Sequence, residues 1–354
     1  MPIQTTMQNE TQSPVNRLIL GDNLEVMKTL ERESVDLIYL DPPFFSNQNY
    51  EVIWGDAGEI RSFKDRWSGG VEKYIDWLKE RVVLMYRVLK STGSIFLHCD
   101  WHANAYIRVH ILDKIFGEKN FRNEIIWQKI RSSKKQAIQF GNIHDMIYFY
   151  SKGDTYTFNQ LFVDLDPKRL ETHYSNVEPH TNRRFMLDNF TQAGQGEAKY
   201  FDGKLLEPPP GKHWIWTQDR IDEGIKSGRI VFTATGKPRV KRYFDESKGN
   251  SVEDIWIDIP PVNSQAKERI GYPTQKPEAL LERIIKCASN EGDTVLDPFM
   301  GSGTTIAVAE KLKRQWIGID QSVMAVKVTE QRLQKIFHQS VTIECHKTQI
   351  RVAS

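Results

Sequence analysis

The chain has 354 residues, 39% hydrophobic and 27% charged, with a net charge of +2. These are the proportions of a soluble globular protein with room for one large or two ordinary domains. No apolar run approaches the ~20 residues that cross a bilayer, and the polar stretch Met1–Ser13 lacks the apolar centre of a secretion signal; no membrane partner and a cytoplasmic location are expected.

In chain order, residues 1–14 read as a disordered arm. A short strand follows at Asn16–Leu20, then a helix at Leu24–Leu30 with Asp22 or Asn23 as its cap. Val35–Leu40 is nearly continuous in apolar residues, as in a parallel strand buried on both faces. From Phe45 to Gly70 no period is visible, which predicts a mobile functional loop. Glu72–Lys90 is an amphipathic helix whose stripe is Tyr74, Leu78, Val82, Met85 and Leu89, ended by Thr92-Gly93. Ser94–Asp100 is another buried strand, Ala103–Phe116 a helix, and Asn123–Gln128 with Asp145–Tyr150 a last pair of strands. This alternation stops between Ser151 and Asn263, where prolines, glycines and aromatics crowd together. It resumes with a helix at Gln275–Ala288, Thr274 as its cap, then a strand at Asp293–Phe299, a helix to Lys313, a strand at Gln315–Asp320 and a helix at Gln321–Phe337. The pattern is that of a parallel sheet flanked by helices, with an inserted module. Cys99, Cys287 and Cys345 are far apart, without disulfide or metal spacing, so structural thiols in a reducing compartment and no metal are expected.

Asp41-Pro42-Pro43-Phe44 closes the second strand, at the end where open α/β sheets bind ligands. Asp41 precedes a proline and is pushed to an extended backbone; the prolines carry no N–H, so nearby carbonyls are free to accept. A carboxylate, a carbonyl and a flat ring suit an exocyclic aromatic amine. Its lone pair is delocalised, and accepting its two protons at Asp41 and the Pro42 carbonyl favours a tetrahedral, nucleophilic nitrogen. Phe44 would hold the ring in line. Alone, the same residues also describe a strand ending in an Asp-Pro turn.

Phe299-Met300-Gly301-Ser302-Gly303 lies between a strand and a helix, where glycines admit a ligand close to the backbone. Asp320 ends the next strand, in place for ribose hydroxyls. No Gly-Lys-Ser/Thr follows, which excludes an ordinary P-loop. The third glycine of a dinucleotide fingerprint is absent too, which leaves that reading open but incomplete.

Together these motifs resemble those of the DNA amino-methyltransferases: Asp41-Pro42-Pro43-Phe44 is similar to their Asp-Pro-Pro-aromatic motif, Asp297-Pro298-Phe299-Met300-Gly301-Ser302-Gly303-Thr304-Thr305 to their S-adenosylmethionine loop, and Tyr272–Pro277 to the segment before it. The catalytic motif comes first, as in the β-type, permuted class. The resemblance implies an α/β fold, doubly wound around a mostly parallel seven-stranded sheet with helices on both faces. Residues 15–150 would be the catalytic half, 264–345 the cofactor half, and 151–263 an inserted target-recognition region. It implies S-adenosylmethionine as cofactor, bordered by Asp297, Phe299, Gly301, Ser302, Gly303 and Thr304. Thr274 and Lys276 would bind its carboxylate end, Asp320 its ribose and Asp22 its adenine amine. Phe44 stands where many members carry Tyr or Trp, which keeps stacking and drops any hydroxyl contact.

Two acid-free basic stretches would meet phosphates of double-stranded DNA: Lys129, Arg131, Lys134 and Lys135, and a run from Lys226 that includes Arg229, Lys237, Arg239, Lys241 and Arg242. Solvated faces are the plainer account of each. The expected activity is site-specific methylation of adenine N6, since a leading Asp is commoner for adenine and a leading Ser for cytosine. Cytosine N4 is the nearest alternative. Methylation of RNA or protein is a further one, and an inactive DNA-binding subunit another. A cognate restriction endonuclease and a homodimer are admitted as partners and left open.

Overall fold

The computed structural model describes residues 16–45, 49–54, 59–64, 70–130, 140–164, 167–338 and 340–346. The expected arm at 1–14, and Arg131, Lys134 and Lys135, lie outside them. The chain divides into two units, residues 1–161 with 253–354, and Phe162–Val252.

The larger unit is built on a sheet with nine strands among the described residues. Their order is Ile255–Trp256, Phe121–Gln128, His144–Ser151, Leu89–Cys99, Val35–Leu40, Thr294–Asp297, Gln315–Asp320, Arg17–Leu20 and Ile343–Cys345. The inner seven are the expected ones; the two edges are additions of two and three residues, too short to carry a readable period. His144–Ser151 runs antiparallel to both neighbours; the other described pairings are parallel.

The decisive adjacency is that of Val35–Leu40 and Thr294–Asp297, which pair in parallel with Leu37 opposite Val295 and Ile38 opposite Leu296. Their carboxyl ends emerge side by side, although they come from opposite halves of the chain. From this pair the chain winds outward in both directions, toward Leu89–Cys99 and toward Gln315–Asp320. Crevices in α/β sheets form at such reversals.

Helix Gly70–Val88 lays Tyr74, Leu78, Val82 and Met85 on the core with Ile38, Leu40, Ile95 and Leu97, as its stripe predicts. It ends earlier than expected, at Val88, and Thr92-Gly93 lies inside strand Leu89–Cys99. The register with Val35–Leu40 slips there, and a Cβ at Gly93 would stand 2.9 Å from the Asp36 carbonyl oxygen. Gly93 therefore marks an irregular close approach of strands rather than a helix end. Within the stretch 45–70, expected as a mobile functional loop without a period, described residues form an antiparallel hairpin, Asn49–Trp54 with Glu59–Lys64. The helix expected at Ala103–Phe116 contains a π turn at Arg108–Leu112. Among the described residues no helix is long and apolar enough to cross a membrane.

The smaller unit is α+β, with a four-stranded antiparallel sheet in the order Ile230–Phe232, Pro238–Tyr243, Arg184–Asp188 and Asn176–Val177. Trp214 and Trp216 are buried with Phe190, Phe201, Ile221, Ile230 and Val240. The aromatic crowding of the insert is thus its own core. The unit is narrower than 151–263. Asn159 caps the carbonyls of helix Glu278–Ala288 through its amide bonds to Lys286 and Ser289, and Ile255–Trp256 is an edge of the large sheet, so both flanks belong with the larger unit.

Candidate active site

A cavity of about 450 Å³ opens at the paired strand ends, within the size range of small-molecule sites. Asp41, Pro42, Pro43 and Phe44 line it, and so do Asp22, Thr274, Lys276, Asp297, Phe299, Gly301, Ser302, Thr304 and Asp320. Of the residues expected to border a cofactor, Gly303 alone is missing from the wall. It sits at φ +68° as the cap of helix Thr304–Lys311, and a Cβ there would run into Thr329 at 2.4 Å. Gly301, at φ +49°, does face the cavity, and a Cβ on it would meet only ordinary contacts.

The loop is held from several sides. Asp320 accepts hydrogen bonds from the amides of Gly301, at 3.0 Å, and Ser322, at 2.8 Å. Asp297 accepts one from the Phe299 amide at 3.0 Å. Buried Arg332 donates to the Ser302 carbonyl and the Thr304 hydroxyl and pairs with Glu278 at 2.7 Å. The Thr304 hydroxyl donates in turn to the Lys276 carbonyl at 3.2 Å, which fastens the glycine loop to the Tyr272–Pro277 segment. Thr274 caps no helix, contrary to expectation: Pro277 holds the cap position without a side-chain bond. The Glu278 amide instead donates to Glu268.

Burial raises the Asp297 carboxyl to about 7, against hydrogen bonds from Thr305 and the Phe299 amide that lower it. Burial likewise raises Asp320 to about 6. An unfolded aspartate titrates near about 4. Above that pH the folded chain holds more protons than the unfolded one, so stability falls as pH rises through the folded values. Asp297→Asn is therefore expected to show a shallower fall in thermal midpoint between roughly pH 5 and 7; a fall as steep as the wild type's would put the titration elsewhere.

On the other wall, Asp22 caps helix Asn23–Thr29 by accepting from the Leu24 amide, and the same oxygen accepts from Arg81 at 3.1 Å. Asp22 is thus the helix cap, as one expectation had it, and it also lines the cavity. Buried Arg81 also donates to Asn23 at 2.8 Å and lies 4.2 Å over the Trp77 ring. Asn23 reaches the Pro298 carbonyl at 2.8 Å, so one network ties the first strand end to the glycine loop. Sequence reasoning missed Arg81, Trp77 and Arg332. The available signal was spacing: Arg81 falls three residues after Leu78 and seven after Tyr74, an arginine on an apolar face.

Next to Asp41-Pro42-Pro43-Phe44, the Tyr39 hydroxyl meets His98 at 2.9 Å, and His98 meets Asp145 at 3.2 Å. Phe44 packs against the same imidazole, ring centres 5.8 Å apart. Burial opposes ionisation of Asp145, but His98 and Lys129 outweigh it and hold its carboxyl below the usual range. Lys129, expected at a phosphate, is 2.6 Å from Asp145; its ammonium neutralises a buried carboxylate. In the smaller unit Lys241 is 12% exposed and pairs with Glu178 at 2.6 Å, and Arg242 lies 3.5 Å from Asp188. Arg239 bonds to Asn189, and Lys237 follows the turn before strand Pro238–Tyr243.

The cavity suits an adenosyl-amino-acid sulfonium: carboxylates at or just past four strand ends (Asp22, Asp41, Asp297 and Asp320), flat rings at Trp77 and Phe299, and a glycine that brings backbone to the wall.

Residues 35–331 match the family described as DNA methylase, named for N6 and N4 methylation. The type II methyltransferase M.EcaI of Enterobacter cloacae is 32% identical over 324 residues, covering 90% of this chain and 69% of that protein. The DNA adenine methyltransferase YhdJ of Escherichia coli K12 is 29% identical over 324 residues, covering 91% and 84%. TTHA0409 of Thermus thermophilus, solved with S-adenosyl-L-methionine, is similar in fold, with a TM-score of 0.50 and 18% identity over 94% of this chain and 99% of that one.

Proposed function

The chain belongs to the N6/N4 DNA methylase family, and from that premise we propose that it methylates the N6 amine of an adenine swung out of duplex DNA. The cofactor is S-adenosylmethionine, which supplies an electrophilic methyl group. The observation that carries the reading is the meeting of Asp41-Pro42-Pro43-Phe44 and the Phe299–Gly301 loop in one cavity. On this reading Asp22 and Asp320 accept the cofactor's polar hydrogens, and Trp77 and Phe299 flank its flat part. Phe44 stacks on the base, while Asp41 and the Pro42 carbonyl accept the amine protons. The target must leave the helix to enter such a cavity, at a cost of a few kcal/mol. The leading Asp41 and the likeness to an adenine methyltransferase favour adenine over cytosine. The chain works beside its DNA in a reducing cytoplasm, its described cysteines being free thiols, and a cognate endonuclease would cut the unmethylated site. Single-molecule sequencing of DNA from cells expressing the chain tests this: N6-methyladenine at one recurring sequence is expected, and unmodified DNA overturns it.

The unit Phe162–Val252 selects the sequence on this reading, with Lys237 and Arg239 neutralising phosphates. Removing both charges is expected to flatten the log–log salt dependence of DNA binding by up to about two units, one for each phosphate no longer neutralised. Lys241→Gln breaks an internal ion pair and is expected to leave that slope unchanged. A salt titration on cognate and scrambled duplexes checks both; equal slopes for the double variant and wild type would remove these residues from the DNA surface.

A further inference from the structure

We propose that Lys276 is a positioning residue for Asp41, and that Asp41 Oδ1 is the atom that accepts the incoming amine. The inference rests on the methylation reading above and reassigns Lys276, which the family resemblance puts at the cofactor's carboxylate.

The two oxygens of Asp41 are in different states. Oδ2 is ion-paired with the Lys276 ammonium, in a pair whose side chains are only 14% and 17% exposed. Oδ1 is buried and has no hydrogen-bond partner among the described residues. Leaving a buried acceptor unmade costs about 1–3 kcal/mol, and native structures keep such an atom where a ligand completes it. What completes a carboxylate oxygen is an N–H or O–H, and the exocyclic amine of a base brings two N–H groups. Phe44, the ring on which that base stacks, stands beside the same pair: the Lys276 ammonium is 5.5 Å from its ring centre.

The lysine is anchored for this task. Its carbonyl accepts from Thr304, and the next residue, Pro277, holds the cap position of helix Glu278–Ala288. From that base the ammonium holds Oδ2 and fixes which way the carboxylate faces. A move to the cofactor would strip Oδ2 of its cation and leave both oxygens of a largely buried carboxylate without a partner, which is strongly unfavourable.

The two assignments differ in kinetics. A cofactor ligand shows in cofactor affinity, a positioning residue in turnover. In the full chain acting on DNA, Lys276→Gln is expected to lower kcat on the order of 100-fold, as for a reacting group about 1 Å out of place. S-adenosylmethionine affinity by calorimetry should stay within about twofold of the wild type, which also reports a folded site. Lys276→Arg keeps the cation and is expected to recover about tenfold of the lost turnover. A cofactor Kd raised about tenfold or more in Lys276→Gln, whatever the turnover, returns the lysine to the cofactor and overturns the proposal. So does unchanged turnover in Lys276→Gln where the wild type methylates DNA. A wild type that transfers no methyl to DNA refutes the methylation reading itself.

Discussion

Asp41→Ala is expected to lose on the order of 1,000-fold in kcat, the scale of removing one preorganised polar partner from a reacting centre, while S-adenosylmethionine still binds. The separation follows from the geometry. Asp41, a residue of the cavity wall, is ion-paired with Lys276 through one oxygen, and its other oxygen is buried without a hydrogen-bond partner among the described residues. The groups proposed for the cofactor hang from other elements: Asp22 from helix Asn23–Thr29, Asp320 from the Gly301 and Ser322 amides, Phe299 from the loop. Asp41→Asn, which keeps the shape, is expected to fall by a similar factor, because its amide offers N–H to an amine that needs an acceptor. Single-turnover transfer to DNA and calorimetry of the cofactor are the measurements. Near-normal turnover would remove Asp41 from the chemistry, and intact turnover with lost cofactor binding would make it a ligand of the cofactor.

Gly303→Val is expected to fail for a different reason than the glycine motif suggests. As a motif, Gly301 and Gly303 both belong to the cofactor. In the structure Gly303 turns toward helix Val323–Phe337, where an added Cβ would overlap three atoms of Thr329. The left-handed backbone adds strain. Overpacking and strain together are expected to destabilise the fold by roughly 2–4 kcal/mol, read as a lower midpoint in urea. Gly303→Ala should share most of the loss, since the Cβ itself collides. Gly301→Val, whose Cβ meets Tyr272 only at 3.5 Å, is expected to act mainly on cofactor affinity. A Gly303→Val protein as stable as the wild type would put this glycine back at the ligand.

The inner seven strands of the large sheet and both loops were legible because local signals agree there: apolar runs end in Asp-Pro or glycine, and a helical stripe follows. The pairing of Val35–Leu40 with Thr294–Asp297 is a long-range choice that no local period encodes, and the family resemblance implied a seven-stranded sheet without naming that adjacency. Charges were the least legible. Lys129, Lys241 and Lys276 look alike as sequence, but each faces a carboxylate supplied by a distant segment, Asp145, Glu178 and Asp41. Whether a lysine is solvated, structural or part of a site depends on those neighbours. The tryptophans of the insert are a different case: Trp214 and Trp216 are buried in the core of the smaller unit, and the crowding of aromatics in that stretch is the trace they leave in the sequence.

The most direct test of the central claim is transfer of labelled methyl from S-adenosylmethionine to duplex DNA by the wild-type chain, followed by digestion and identification of the labelled nucleoside. Label is expected in N6-methyladenine, and none with Asp41→Ala. Label in N4-methylcytosine, or none in DNA while the cofactor binds, would contradict it.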